Sequence, residues 1–418
     1  MVLIYGLKQI LSLSGNNNPK KGKLLSEISV IENGAILIEN GKIIDIGREK
    51  EVFKNKKAKN SKKIKISGVA MPSFIDSHTH SIFAKARLKD FSLRTSGYSY
   101  QEIKKKGGGI LSSVKSLRNS DKKTLVDNLL YFSNKFIENG TGVIEAKSGY
   151  GLNLDSEIKI LETIKEASSK TKLEIIPTFL GPHALAPEFK NSKEYLDYII
   201  KKILPEIKKR KLAVFSDIFC EDGYFSVEES VYYLKKAKEF GLIPKIHAEQ
   251  LKKYGGSKAA IEVNAISADH MDYTDLETIK KLAKTNTIIT FLPASNYFLG
   301  LEHYPNSRDF IDKGAAVALA TDFNPGTSPC YNMQFVISVA VTHMKMKIEE
   351  AINAAIYNGA CALNIQNRTG SLEIGKQADI SIFDIKDYRE LAYYFGSNLC
   401  KMTIKKGEII YEKENSAI

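Results

Sequence analysis

Paired cysteines are missing from this chain. Its four cysteines, at positions 220, 330, 361 and 400, lie far apart and form no Cys-x-x-Cys pair. That spacing excludes a thiolate zinc ribbon and a dithiol redox motif, and it fits a reducing compartment. Long apolar runs are missing too. None approaches the ~20 residues that cross a bilayer, so no membrane partner is expected. Residues 1–15 hold an apolar patch but no charged leader and no small-residue cleavage site, and a cytoplasmic location is expected. Acidic residues are in deficit, 48 against 61 basic ones, for a formal charge of +13. The excess is lysine spread over helix-like segments, with one denser run at 54–65. No arginine–aromatic interleaving accompanies it. A solvated surface is therefore expected rather than a nucleic-acid partner.

What is present is an ordinary globular composition, 43% hydrophobic and 26% charged, in 418 residues. That length buries a large core. Residues 1–67 have a β pattern, with Asn40-Gly41 joining two strand-like runs as a hairpin turn does. From residue 68 short apolar runs alternate with helical stretches. Strands are expected at 68–75, 141–147, 173–180, 213–219, 242–247, 264–269, 287–292 and 315–321. Eight such runs in about 300 residues suit a (β/α)8 TIM barrel over 68–368, an α/β fold. A long insert, 81–140, carries Gly107-Gly-Gly109. The β pattern returns after 368, and segments 1–67 and 369–418 are expected to combine into a small β-sandwich domain beside the barrel.

The first barrel strand leads into Asp76-Ser-His-Thr-His80. Residues two apart on extended chain face the same way, so His78 and His80 aim at one point. His183 follows the third strand, His247 the fifth and His270 the sixth, and Asp322 follows the eighth. Five of the seven histidines thus fall where a barrel places its active site. Three neutral imidazoles and a carboxylate hold Zn2+ or iron and leave a position for water. His78, His80, His247 and Asp322 are the expected ligands. His183 and His270 are either packing residues or groups that polarise substrate and transfer protons. His303 and His343 lie in helix- or loop-like context and are expected at the surface. Arg87 is either a surface ion-pair partner or the cation for a substrate carboxylate.

This pattern of histidines after strands one, five and six and an aspartate after strand eight, between flanking β segments, resembles the amidohydrolase superfamily. Many members hold two metals bridged by a carboxylated lysine on strand four. The run Ala213-Val-Phe-Ser-Asp-Ile-Phe-Cys-Glu221 ends in no lysine, which implies one Zn2+ or Fe3+ per subunit. Lys147, on strand two, is read as a barrel or substrate-side residue. Longer stretches, among them Ala146-Lys-Ser-Gly-Tyr-Gly-Leu152, Phe179-Leu-Gly-Pro-His183 and Thr321-Asp-Phe-Asn-Pro-Gly-Thr-Ser328, are similar to one branch of that superfamily. Its members open the cyclic amide of 4-imidazolone-5-propanoate to N-formimidoyl-L-glutamate in histidine degradation.

The resemblance implies that Arg87, Tyr150, His183, Gln250, Asn324, Gly326 and Thr327 line the substrate. It also implies a homodimer. Around Arg87 the branch usually carries an acidic Gly-Asp-Arg run, where this chain has Ala84-Lys-Ala-Arg87. Related nucleobase deaminases use a glutamate as proton shuttle three residues after the strand-five histidine. Gln250 stands there and cannot ionise. The base is then Asp322, with His270 assisting. Two other readings stay open: a mononuclear amidohydrolase acting on another cyclic amide or a nucleobase, and a non-catalytic barrel scaffold.

Overall fold

A computed structural model describes residues 1–414. Eight parallel strands form the barrel, at Phe74–Asp76, Thr141–Lys147, Glu174–Phe179, Phe215–Ser216, Ile243–Ala248, Ser267–His270, Ile288–Phe291 and Ala316–Leu319. They pair in chain order from first to eighth. The ring closes just past the strand ends, where the His80 N–H donates to the Phe323 carbonyl (2.8 Å) and the Asp322 N–H to the His78 carbonyl (3.1 Å). Asp76 adds to that closure, accepting from the Thr321 N–H at 3.0 Å and its hydroxyl at 2.6 Å. Three of the four expected ligands, His78, His80 and Asp322, therefore sit on the seam that shuts the barrel.

The flanking helices start at side-chain caps. Asp121 accepts from the Thr124 N–H at the head of Lys122–Glu138, Asn153 caps Leu154–Ser168, and Ser226 with Glu229 forms a capping box for Val227–Glu239. Each buries one stripe, as Leu125, Leu129 and Phe136 do in the first of these. The insert supplies the short helices Leu88–Thr95 and Ile110–Arg118. The Gly-rich loop before the second is built into the fold: Asp90 accepts from the Gly109 N–H at 2.8 Å.

A second, mixed sheet joins both chain ends. Its order is Glu408–Glu412, Cys400–Lys405, Ile380–Phe383, Val69–Pro72, Val2–Leu11, Val30–Glu39 and Lys42–Arg48, with Lys62–Lys65 also on Val2–Leu11. Ile4, Ile10, Ile36, Ile380, Ile382 and Met402 close on one core. The hairpin turn at Asn40-Gly41 has φ of 51° and 74°, the paired left-handed conformation that suits Asn-Gly.

The first expected strand, 68–75, is two strands. Val69–Pro72 pairs with Ile380–Phe383 in the terminal sheet, whereas Phe74–Asp76 pairs with Thr141–Ile144 in the barrel. The chain changes sheets at Ser73, whose N–H donates to the Asp379 carbonyl (3.1 Å), while the next N–H, of Phe74, donates to Gly140 (2.9 Å). Both halves are fully buried and, Asp76 aside, apolar, so they read as one strand-length run in the sequence.

Candidate metal centre and active site

The C-terminal ends of the barrel strands bring four predicted residues to one point. His78 Nε2 lies 3.2 Å from His80 Nε2, which lies 3.3 Å from His247 Nε2. Asp322 Oδ1 is 3.6 Å from Nε2 of both His78 and His80. Carboxylates stand behind two of these rings: His78 Nδ1 donates to Asp269 Oδ2 at 2.6 Å, and Asp217 Oδ2 lies 3.0 Å from His247 Nδ1. A carboxylate accepts, so Nδ1 of His78 carries the proton and its Nε2 presents a lone pair toward Asp322. A lone pair and a carboxylate oxygen brought this close repel unless a cation lies between them. Ligands around a tetrahedral ion with ~2.05 Å bonds stand about 3.3 Å apart. The donor set and its spacing fit a metal ion.

Burial acts on the same groups. It holds His78, His80 and His270 well below the ordinary imidazole range and brings His183 down to about 3, so these rings are neutral near pH 7. It pushes the Asp322 carboxyl up to about 8, a cost that a cation in the cluster offsets. Asp322 and His270 have φ of 54° and 75°, a left-handed backbone that is costly for a non-glycine residue and that the surrounding structure must hold in place.

Beneath the cluster lies a ring of buried charge. Lys147 Nζ is 2.7 Å from Asp217, 2.9 Å from Glu145 and 3.6 Å from Asp269. Lys245 Nζ is 2.9 Å from Glu145 and donates to the Ser77 carbonyl at 2.9 Å. Although burial opposes both shifts, these pairs hold Lys147 above the usual ammonium range, and His247 with Lys147 holds Asp217 well below the usual carboxylate range. Lys147 is thus a barrel-interior residue and faces no substrate cavity.

Above the cluster opens a cavity of about 420 Å³. Arg87, Tyr150, His183, Gln250, Asn324 and Thr327 all line it, together with His80, His247, His270 and Asp322. His183 stacks on His80 (5.0 Å between ring centres, 15°), and its Nδ1 lies 3.2 Å from the Gly149 carbonyl. Gly326 is not on the wall. It sits in the turn that Asn324 shapes by accepting from the Gly326 and Thr327 N–H groups. Any side chain on Gly326 would overlap the Arg87 guanidinium. Glu249 turns away and accepts from Ser257 at 2.6 Å. His303 and His343 are exposed.

Sequence reasoning missed Arg94 and the largely apolar rest of the wall, among it Phe219, Tyr224, Leu251 and Leu299. The apolar members have no local signal. Arg94 follows Arg87 by seven residues, the spacing that returns to one helix face, and that signal was available.

Comparison with known proteins accords with this geometry. Residues 69–410 match the amidohydrolase family model. The chain is 39% identical over 409 residues to an imidazolonepropionase of Thermoanaerobacter pseudethanolicus, covering 97% of each chain. It is also 39% identical to the imidazolonepropionase of Clostridium tetani, over 99% of this chain and 98% of that one. The chain belongs to the amidohydrolase family, in its imidazolonepropionase branch.

Solved structures share this amidohydrolase's fold at low identity. A triazine hydrolase variant superposes with a TM-score of 0.77 at 14% identity, covering 98% of this chain and 94% of that one. Guanine deaminase of E. coli gives 0.73 at 15%, over 99% of each. A zinc-bound adenosine deaminase of Xanthomonas campestris gives 0.71 at 14%, over 98% and 92%. No helix among the described residues is long and apolar enough to cross a membrane.

Proposed function

We propose that this amidohydrolase hydrolyses the cyclic amide of 4-imidazolone-5-propanoate, giving N-formimidoyl-L-glutamate in L-histidine degradation. Relatives named for this activity over nearly the full chain support it. The observation that carries it is the opening of the His78–His80–His247–Asp322 cluster into the same cavity as the Arg87 guanidinium. Hydrolytic chemistry and an anionic substrate tail are then served side by side.

The oxygen of water bonds to the ring carbonyl carbon, the ring C–N bond breaks, and the departing nitrogen takes up a proton. The carbonyl carbon becomes the new carboxylate of the product. His78, His80, His247 and Asp322 would hold one Zn2+ or Fe3+ per chain, which when bound would supply Lewis acidity toward a water and the ring carbonyl. Asp322 accepts the proton of the attacking water and returns it to the departing nitrogen, and His270 on the same cavity wall assists. Gln250 carries no ionisable proton, which keeps proton handling on these two residues. His183 and Tyr150 position the ring. Arg87 holds the propanoate, with the Asn324–Thr327 turn beneath it.

The test is an assay of the metal-loaded protein on imidazolonepropanoate, cytosine and guanine. Fast ring opening with negligible deamination is expected, and the reverse would refute the proposal. Elemental analysis decides zinc against iron. A cytoplasmic homodimer is part of this proposal, and light scattering and cell fractionation test it.

A further inference from the structure

Arg94 lines the cavity wall beside Arg87, and its setting is that of a cation waiting for an anion. Among the described residues its Nη1 reaches only the Gly326 carbonyl, at 3.4 Å. Its Nη2 is buried with no hydrogen-bond partner among the described residues, and so is Nε of Arg87. Both guanidiniums converge on one turn, since Arg87 is packed against the bare Cα of Gly326. The carboxylate set against this pair is Asp90, 3.9 Å from Arg87 Nη1, and one of its oxygens already accepts from the Gly109 N–H. Two positive charges and one negative leave the local site a charge short.

The Arg94 side chain is also held in place. Its guanidinium lies 4.6 Å over the Phe298 ring and 5.6 Å from that of Phe91. Those rings stack on each other, 5.3 Å apart at 15°. Stacking on its face leaves a guanidinium's N–H edge free to bind. Phe91 and Arg94 belong to the insert helix Leu88–Thr95, whereas Phe298 belongs to helix Pro293–Leu299 after the seventh strand. Arg94 thereby ties the insert to the barrel at the cavity mouth.

We propose that Arg94 is a second specificity-determining cation, which with Arg87 clamps the carboxylate tail of the substrate over the Gly326 turn. This rests on the functional reading above for the identity of the tail. The two arginines approach a carboxylate from different elements and supply N–H groups to both of its oxygens. A neutral tail of the same shape gains nothing from the pair.

The experiment compares calorimetric Kd values of the zinc-loaded protein for imidazole-4-propanoate and imidazole-4-propanamide, in wild type, Arg94→Gln and Arg94→Lys. Arg94→Gln is expected to weaken the propanoate about 10- to 100-fold, the range of a charge-assisted hydrogen bond, and to leave the propanamide unchanged. Arg94→Lys keeps the charge without the fork and is expected to restore part of the loss. Equal weakening of both ligands, or of neither, overturns the clamp, as does a wild type that does not distinguish them. The binding comparison stands apart from turnover. A protein that binds the propanoate through Arg94 but opens no imidazolone ring overturns the functional reading and leaves the clamp in place.

Discussion

Lys147 Nζ lies 2.7 Å from Asp217 Oδ2, the same oxygen that lies 3.0 Å from His247 Nδ1. One ammonium thereby neutralises a carboxylate that orients a ligand, and it stands 3.6 Å from Asp269, which orients another. Removing it leaves Asp217, Asp269 and Glu145 buried with Lys245 as their remaining cation. Breaking such a network costs about 3–5 kcal/mol, and loss of a ligand's orienting partner costs about 10- to 100-fold in metal affinity. Lys147→Met is expected to show both effects, in urea unfolding and in zinc titration against a chelator. Wild-type zinc affinity in a folded Lys147→Met protein would show that the ammonium does not support the centre.

His247→Ala removes one of three converging imidazoles. Bound metal and hydrolytic activity are expected to fall together, because two imidazoles and a carboxylate hold an ion less tightly than the full set. Elemental analysis beside the activity assay checks this. Full metal content in the variant would place the ion elsewhere.

Gly326→Ala drives a methyl group into the Arg87 guanidinium. Arg87 must move, and KM is expected to rise about tenfold or more with metal content unchanged, as it does for Arg87→Ala. Because both changes act on one contact, the double variant is expected to be little worse than either single one. Additive losses in the steady-state kinetics would separate the two residues.

Glu174, at the start of the third barrel strand, reaches Arg368 Nη1 at 3.0 Å and Lys405 Nζ of the terminal sheet at 3.0 Å. Although burial opposes it, Arg368 and Lys405 bring the Glu174 carboxyl down to about 2 from its usual 4.5. A depressed pKa contributes stability that is present above pH 4.5 and is lost as pH falls toward 2. The carboxylate is partly open to solvent, which screens the pair, so the contribution is about 1–3 kcal/mol. Glu174→Gln is expected to lower stability by that amount at pH 7 and to flatten the acid limb between pH 4.5 and 2. Chemical unfolding across this range measures it, and an unchanged acid limb would assign the loss to other carboxylates.

Much of this amidohydrolase is legible without coordinates, because strands and their ends are local properties. Eight apolar runs of strand length, separated by helical stretches, lie within a few residues of the eight observed barrel strands. A side chain just past a parallel strand reaches the C-terminal rim whatever its neighbours do. For that reason His78, His80, His247 and Asp322 meet, and Tyr150, His183 and Gln250 face the same cavity.

The rest depends on partners that no local pattern names. Alternation along Thr141–Lys147 puts Glu145 and Lys147 on one face of the strand. Only closure of the barrel brings Asp217 and Asp269 to that face and makes Lys147 a support for the metal centre. The switch at Ser73 is equally silent, since buried strands of either sheet are apolar. Gly326 reads as a turn residue until Arg87 is seen lying against it. The sequence by itself set the strand order and the residues presented at the rim, through short-range periodicity. The tertiary structure alone decided which charges meet, because side chains hundreds of residues apart become neighbours only when the sheet closes.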